Sequence, residues 1–400
     1  MKPFFRAAAW LPLLFGAAAC AHAQGDGLHA AFEAAWLRQP AQQAQAARQA
    51  ELDARLRAAS ALTPAPASVS VSQRSDQIGS RLGRREAEIE FDVPLWLPGQ
   101  QGRERALARA EGGVYAAQQR LARWRLAGEL RAAYWQARID ADEHALALQR
   151  SAGAQALAAD VARRVKAGEL ARIDANRATG EEQGARIAAG QAEAQAFRSL
   201  QQFTVLTGMA TLPAGADTAA AQPAASHPQR ALDQQQLALA QRRVEQVDAT
   251  RREPPELTLG MARERPAYGA PHENSVVLRL KVPFAADGRN LPRMAAAQAE
   301  RAEADAALAQ GGERTQAEIA AARRELAQAQ SAAQLSEQRM GLARDTQQLL
   351  ARAFSLGEID LPARLRAEAE RFEADRAAVR ARLEVGRATA NLNQALGILP

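Results

Sequence analysis

The sequence contains few of the large residues from which globular cores are built. Only 4% of its 400 residues are aromatic, and long stretches consist of Ala, Gln, Glu, Arg and Leu. Such a composition is typical of long packed helices. Because Ala and Leu make only a thin core, we expect the helices to lie close together along their length.

Cysteine and histidine are also scarce, and this scarcity excludes most metal and thiol chemistry. Cys20 is the single cysteine. The histidines are scattered without the spacing of a metal site: they include His29, His144, His227 and His272. No P-loop, dinucleotide-binding glycine run or nucleophile elbow is present. The sequence therefore predicts no catalytic residue, no metal site and no cofactor, and a protein that is not an enzyme.

The charges do not form a patch of one sign. The chain has 51 basic and 45 acidic residues, a net charge of +6, and they are interleaved along helical segments. This pattern is typical of solvated helix faces. A nucleic-acid surface would need a basic stripe with aromatic stacking groups, so we predict no nucleic-acid partner.

The N-terminus has the pattern of an export signal. Lys2 and Arg6 precede an apolar stretch, residues 7–20, and a small-x-small motif ends at Ala23. The stretch is too short for a transmembrane helix, which needs roughly 20 residues. We predict a signal peptide over residues 1–23. A second interpretation, acylation of Cys20 as the new N-terminus, stays open, although the alanines before it lack the leucine usual in a lipoprotein signal.

The rest of the chain has no apolar run long enough to span a bilayer. An exported protein without a transmembrane helix can still lie in a membrane, but only through a closed β-barrel.

The first half of the chain recurs in the second half at a spacing of 189 positions. Since Pro and Gly fix turns and element ends, their agreement at one spacing indicates a tandem duplication. The matched positions are Pro94 and Pro283, Gly99 and Gly288, Gly168 and Gly357, Ala178 and Ala367, and Gly208 and Gly397. We predict a first repeat over 24–208, a linker over 209–227 and a second repeat over 228–400.

Each repeat predicts the same order of elements: a helix, two strands, a long helix and a shorter returning helix. The first helices are expected at about 28–62 and 228–252, and the long helices at about 100–166 and 293–355. The returning helices are expected to end near Gly208 and Leu396. Helices that reverse at a short turn form an antiparallel coiled-coil hairpin.

The strands alternate between apolar and polar residues. Ile89, Phe91 and Val93 alternate with Glu90 and Asp92, and residues 278–284 repeat the alternation. Four strands cannot close a barrel, and an open sheet edge in lipid leaves backbone groups unpaired. The chain must therefore share a barrel with neighbouring copies or keep its sheet in water. A soluble hairpin packed on the helices stays open as the alternative.

The duplicated plan resembles the TolC family of outer-membrane efflux proteins over the whole mature chain. The most specific signal is the glycine-centred turn in residues 164–174, repeated in residues 352–360. The resemblance implies a mainly α fold with a small β part. Each chain would contribute a long helical coiled coil, and its four strands would join a trimeric, twelve-stranded outer-membrane barrel. A periplasmic adaptor and an inner-membrane pump would be the partners, with outer-membrane lipid around the barrel.

The resemblance also assigns roles at the two turns. The residues that would contact the adaptor are Gly168, Glu169, Leu170, Gly357, Glu358 and Ile359. Asp174 would ring the aperture in three copies, where carboxylates favour cations, with Asp360 as a substitute charge. Phe354 and Ile359 stand where TolC has an aperture tyrosine and arginine, so the salt-bridged lock of that family is missing.

The function implied is passive conduction of small molecules or metal cations from a pump to the exterior. Residues 93–99 also resemble the cobalt–zinc–cadmium efflux subgroup. Two alternatives stay open: the exit duct of a type I protein secretion system, and a periplasmic coiled-coil scaffold that never enters the membrane. The duplication favours the channel over the scaffold.

Overall fold

The computed structural model describes residues 27–400, apart from residues 216, 221, 285 and 286. The predicted signal peptide, with Cys20, lies outside the described residues. The helices are α1 (Gly27–Leu37), α2 (Pro40–Gln43), α3 (Gln45–Ala58), α4 (Gln100–Lys166), α5 (Arg172–Thr207), α6 (Pro228–Ala249), α7 (Asp287–Leu356) and α8 (Leu361–Ala395). The strands are β1 (Ser68–Ser75), β2 (Arg85–Pro94), β3 (Glu256–Arg265) and β4 (Glu273–Lys281).

Two very long helices dominate the fold. Helices α4 and α7 contain 67 and 70 residues, which at about 1.5 Å per residue makes each about 100 Å long. The predicted bounds of α4 are confirmed. Helix α7 begins earlier than predicted, at Asp287 and not at Arg293. Pro292 is accommodated in its second turn, where it removes a single backbone hydrogen bond.

The helical segment predicted over about 28–62 is helical as far as Ala58 but is broken into three shorter helices. Gln39 adopts an extended conformation, with φ −72° and ψ 136°, immediately before Pro40. A residue that precedes proline is pushed out of the helical region by the proline ring. The last of the three helices ends at Ala58. Helix α6 likewise ends at Ala249, before the pair Pro254 and Pro255.

The helices form two antiparallel hairpins that lie side by side. Helix α4 packs on α5, and α7 packs on α8. The hairpins contact each other through α4 and α8, so the order across this wall is α5–α4–α8–α7. Nearer the sheet, α6 packs between α4 and α7.

The four strands form one antiparallel sheet in the order β1–β2–β3–β4. Strands β1 and β2 form one β-hairpin, and β3 and β4 form another. The two β-hairpins meet where β2 pairs with β3, for example Phe91 with Leu259. One strand of each repeat is left at an edge, β1 on one side and β4 on the other.

The largest apolar core lies where α1 packs against the middle of the hairpins. Phe32 from α1, Leu130 from α4 and Phe203 from α5 are fully buried there. Tyr134 and Trp135 stack edge to face within it, with ring centroids 5.4 Å apart. This core lies near the middle of α4. The sheet lies towards one end of that helix, and the hairpin turns lie towards the other.

Candidate functional site

One face of the sheet carries only apolar side chains, except at the end nearest the β1–β2 and β3–β4 loops. Cross-strand pairs such as Val71 with Ile89 and Leu259 with Leu278 lie on this face. The apolar face consists of Val69, Val71, Ile89, Phe91, Val93, Leu257, Leu259, Met261, Val276, Leu278 and Leu280. Leu278 is 72% exposed and Phe91 is 47% exposed. A face of this kind on a protein in water would normally be covered.

The opposite face of the sheet is polar and internally hydrogen-bonded. The hydroxyl of Thr258 donates to Asp92 at 2.6 Å, and Arg279 forms an ion pair with Glu90 at 3.1 Å. Arg74 donates to Glu86 at 3.1 Å. Thr258 is only 4% exposed. The sheet is therefore inverted relative to a soluble protein, with its polar face the more covered one.

No helix among the described residues packs extensively on the sheet, whose strands contact mainly one another. The alternative of a soluble hairpin lying on its own helices is therefore wrong for this chain. Within the described part of the chain, no helix is both long and apolar enough to cross a membrane.

Both hairpins turn through the same glycine motif. Gly168 and Gly357 have φ values of +85° and +78°. Residues other than glycine disfavour this left-handed region of the backbone. Around Gly168, the amide of Glu169 donates to the carbonyl of Arg164 at 2.9 Å. Around Gly357, the amide of Glu358 donates to the carbonyl of Ala353 at 3.0 Å. These are Schellman turns, which satisfy carbonyls that the helix end leaves free.

The six residues predicted to contact an adaptor divide into two groups. The two glycines and the glutamates that follow them, Glu169 and Glu358, are exposed at the turns. Leu170 and Ile359 are half-buried and pack against a small apolar core. The exposed group could meet a partner directly, whereas Leu170 and Ile359 also hold the turns in place.

The core under the turns joins the two hairpins. Val161 from α4 and Leu361 from α8 belong to it together with Phe354 from α7. Phe354 is only 2% exposed, and its ring lies between the guanidinium groups of Arg164 and Arg364, at 5.2 and 4.9 Å. In the single chain this ring therefore ties one hairpin to the other, a contact that the sequence did not reveal.

The two aspartates predicted at the aperture have different surroundings. Asp360 precedes α8 and accepts a hydrogen bond from the amide of Ala363 at 3.0 Å, as an N-cap. Asp174 lies in the first turn of α5 and has Arg177 at 3.9 Å. Asp360 thus stabilises a helix end, whereas the ion pair of Asp174 with Arg177 is long, at 3.9 Å.

The linker between the repeats is fastened to the helices, which its Pro- and Ala-rich sequence did not predict. Arg131, only 2% exposed, donates to Asp217 of the linker at 2.5 Å and to Gln394 at 2.7 Å. Asn393 donates to the carbonyl of Thr218 at 2.8 Å. Burial lowers the pKa of the Arg131 guanidinium, and the charge of Asp217 opposes this shift. Arg131 thereby joins the first repeat to the linker through Asp217 and to the second repeat through Gln394.

The described residues contain no group of three or more His, Cys, Asp or Glu side chains placed to hold a metal ion. The cavities are open grooves between helices. The groove between the hairpins is lined by charged residues such as Arg150, Glu181 and Glu368.

Solved structures share this arrangement over nearly the whole chain. The outer membrane protein VceC of Vibrio cholerae aligns with a TM-score of 0.76 at 14% identity, covering 92% of this chain and 95% of its own. CusC, described for its folding and transmembrane channel formation, aligns with a TM-score of 0.75 at 16% identity, covering 93% and 92%. This is the TolC-type channel fold. The open-state MtrE outer membrane channel of Neisseria gonorrhoeae also has it, with a TM-score of 0.72 at 14% identity, covering 92% and 88%.

At these identities the likeness establishes the TolC-type fold and leaves the roles of individual residues open. Comparison of the sequence with family models and with curated proteins finds no match. The fold predicted from the duplication, two helical hairpins and four strands in each chain, is confirmed.

Proposed function

We propose that the chain is the outer-membrane channel of a tripartite efflux system. Three copies would pool their strands into a twelve-stranded barrel in the outer membrane, and their helices would form a tunnel across the periplasm. An adaptor and an inner-membrane pump would dock at the turns and supply the energy. The channel itself would conduct passively.

The observation that carries this proposal is the inverted sheet. Its apolar side chains point away from the rest of the protein, whereas its carboxylates, hydroxyls and guanidinium groups are paired on the other face. This is the pattern of a barrel wall with lipid outside and water inside. A periplasmic scaffold that never enters the membrane would leave the apolar face in water, at a cost of about 25 cal/mol per Å² of apolar surface.

The number of strands argues for three copies. One chain leaves the edges of β1 and β4 unpaired, which hydrocarbon does not tolerate. Two chains would give a barrel of about eight strands, whose interior side chains fill. Three is the smallest number of copies that leaves an aqueous pore.

Polar groups at the turns would serve docking and gating. The exposed turn around Gly168 and Glu169, and its counterpart around Gly357 and Glu358, would meet the adaptor. Three copies of Asp174 would ring the aperture and favour cations. A conduit of this kind needs no dedicated substrate pocket, so the cargo, small molecules or metal cations, would be set by the pump.

Neighbouring residues of β4 allow a matched test. Leu278 lies on the apolar face and Val277 on the polar face. Leu278→Arg would place a charge in lipid, at a cost of about 2–4 kcal/mol near the bilayer centre, and Val277→Arg would place it in the lumen. We expect Leu278→Arg to reduce the amount of protein in outer-membrane fractions, and Val277→Arg to insert and alter single-channel conductance in planar bilayers. Equal insertion of both variants, or wild-type protein without channel activity, would contradict the proposal.

A further inference from the structure

The apolar face of the sheet ends in a basic patch. Three arginines lie on this face at the end nearest the β1–β2 and β3–β4 loops: Arg85 of β2, and Arg263 and Arg265 of β3. We call them the arginine triplet. Within the four strands they are the only charged residues on this face, whereas every Asp and Glu of the strands lies on the polar face. A solvated surface usually mixes the two signs, so their separation indicates a ligand of negative charge.

The strand register holds the arginine triplet close together. Arg85 and Arg265 lie directly opposite each other in the pairing of β2 with β3, and like charges in this position repel. Arg263 precedes Arg265 by two residues on the same face, about 7 Å along the strand. Arg85 and Arg263 are exposed. Three positive charges are thus concentrated in a small exposed area, and a bound anion would relieve their repulsion.

No carboxylate neutralises the arginine triplet within the described part of the chain, where none of its guanidinium groups forms an ion pair. Arg265 contacts neutral groups instead. Its Nε donates to the carbonyl of Gly83 at 3.3 Å, and its guanidinium lies over the ring of Tyr268 at 5.7 Å. On the polar face at the same level, by contrast, Arg74 forms an ion pair with Glu86 at 3.1 Å. The triplet therefore keeps its charge available for a ligand.

The position of the arginine triplet matches the boundary of a bilayer. Met261 is the last apolar residue of β3 on the apolar face. Arg263 lies about 7 Å beyond it, within the thickness of a headgroup layer, about 5–8 Å. The other ends of the strands lead to the helices. With the helices in the periplasm, as proposed above, the triplet lies in the outer leaflet of the outer membrane.

An aromatic ring is fixed beside the arginine triplet. The amide of Tyr268 donates to the carbonyl of Leu82 at 2.9 Å, which joins the β3–β4 loop to the β1–β2 loop. The ring of Tyr268 is 68% exposed. Tyrosine is typical of the level where a membrane meets water, and its ring offers a flat surface on which a sugar can pack. The patch therefore suits a headgroup that contains both sugar and phosphate.

The guanidinium group binds phosphate through two parallel hydrogen bonds. The outer leaflet of an outer membrane is built from a glycolipid whose sugars carry phosphate. We propose that the arginine triplet binds the phosphate groups of this glycolipid, with the aliphatic parts of the arginine side chains against its acyl chains. The inference rests on the proposed function, because that function places the apolar face in the outer membrane.

Lipid A, the phosphorylated and acylated sugar core of this glycolipid, is the probe for the test. Native mass spectrometry of the detergent-solubilised protein, titrated with lipid A, gives the dissociation constant. We expect Arg85→Gln/Arg263→Gln/Arg265→Gln to raise this constant by about tenfold or more, since at least one charge-assisted hydrogen bond is lost. Arg263→Gln alone should raise it by a smaller factor, and serves as the test if the triple variant is not exported.

The polar face supplies a matched control. Arg74→Gln/Arg279→Gln/Lys281→Gln removes the three basic residues that the strands carry on that face, and it should bind lipid A as the wild type does. Lipid A without its phosphates should bind weakly, and equally to the wild type and to the variant without the triplet. Phosphatidylglycerol, which has a phosphate but no sugar, should bind the wild type less tightly than lipid A.

The outcomes separate this inference from the channel proposal. Equal affinity of the wild type and the variant without the arginine triplet overturns the inference, as does an equal loss in both triple variants. Phosphatidylglycerol bound as tightly as lipid A overturns the assignment to a glycolipid. A wild-type channel that conducts ions but does not bind lipid A overturns the inference and leaves the channel standing. A protein that neither enters the outer membrane nor conducts ions overturns both.

Discussion

At the scale of single residues, the buried ion pair between Arg131 and Asp217 has the clearest energetic consequence. Both side chains are nearly inaccessible, at 2% and 9% exposure. A buried charge that loses its partner is strongly unfavourable, because it can be neither hydrated nor neutralised easily. The free energy of unfolding should therefore fall when one of the two charges is removed, and fall less when both are removed together.

We expect Arg131→Met to destabilise the protein by about 3–5 kcal/mol, because Asp217 is left buried without a counter-charge. The double variant Arg131→Met/Asp217→Leu should recover most of the loss. Thermal unfolding of the detergent-solubilised protein measures both. Arg103→Met serves as the control, since Arg103 and Glu245 form an exposed pair worth at most about 1 kcal/mol. Equal losses for Arg131→Met and Arg103→Met would contradict the prediction.

We expect His227 to make the stability of the protein depend on pH. Its ring packs edge to face on Trp124, with the ring centroids 5.1 Å apart, and among the described residues neither ring nitrogen has a hydrogen-bond partner. Burial lowers the pKa of His227 below its ordinary value, while Glu318 and Asp233 oppose the shift. The folded protein therefore disfavours the protonated ring.

Below about pH 6.5, the unfolded chain takes up a proton at His227 that the folded chain does not. The free energy of unfolding therefore falls as the pH drops towards the lowered pKa of the folded state. Above that range the residue has no effect. We expect His227→Phe to reduce the fall in melting temperature between pH 7 and pH 5. An identical fall in wild type and variant would show that His227 does not contribute.

At the scale of elements, the hairpin turns depend on glycine. At a φ of +85°, a β-branched side chain costs about 1–2 kcal/mol, whereas Asn is tolerated better. We expect Gly168→Val to loosen the turn and to raise amide hydrogen exchange around residues 164–174, with the trimer and its membrane insertion intact. Gly168→Asn should stay close to wild type. Loss of the trimer in Gly168→Val would mean that the turn does more than shape the tip.

Neighbouring residues in the sequence predict some features of these elements and miss others. The end of α4 followed from Gly168, which adopts the positive φ of a helix C-terminal turn; glycines inside α4, such as Gly128 and Gly153, do not interrupt the helix. The break before Pro40 was within reach of the same reasoning, since proline restricts the residue before it. The pairing of Phe354 with Arg164 and Arg364 was not, because it joins segments that only the packing of two hairpins brings together.

At the scale of the whole molecule, the aperture prediction concerns a group that acts only in several copies. Within the described part of one chain, the carboxylate of Asp174 forms an ion pair with Arg177 at 3.9 Å. In a trimer, three such carboxylates around one axis would attract cations and repel anions. A property of this kind is invisible in one chain.

We expect Asp174→Ala to lower the cation preference of the channel, measured as the reversal potential across a planar bilayer with a salt gradient. Glu169→Ala, which removes an exposed carboxylate from the turn, is the control and should have the smaller effect. An unchanged reversal potential in Asp174→Ala would exclude the ring of carboxylates.

The sequence by itself determined the long helices, the glycine turns and the alternating strands, because each of these depends on residues close together in the chain. It also determined the duplication, because matched Pro and Gly residues recur at one fixed spacing. Only the tertiary structure decided that the sheet stands clear of the helices with its apolar face outward, and that α5 and α7 form the open edges of the wall. Alternation gives a strand two unlike faces but cannot say which one is covered. That depends on which distant segments pack beside it, and no segment of the described chain covers the apolar face.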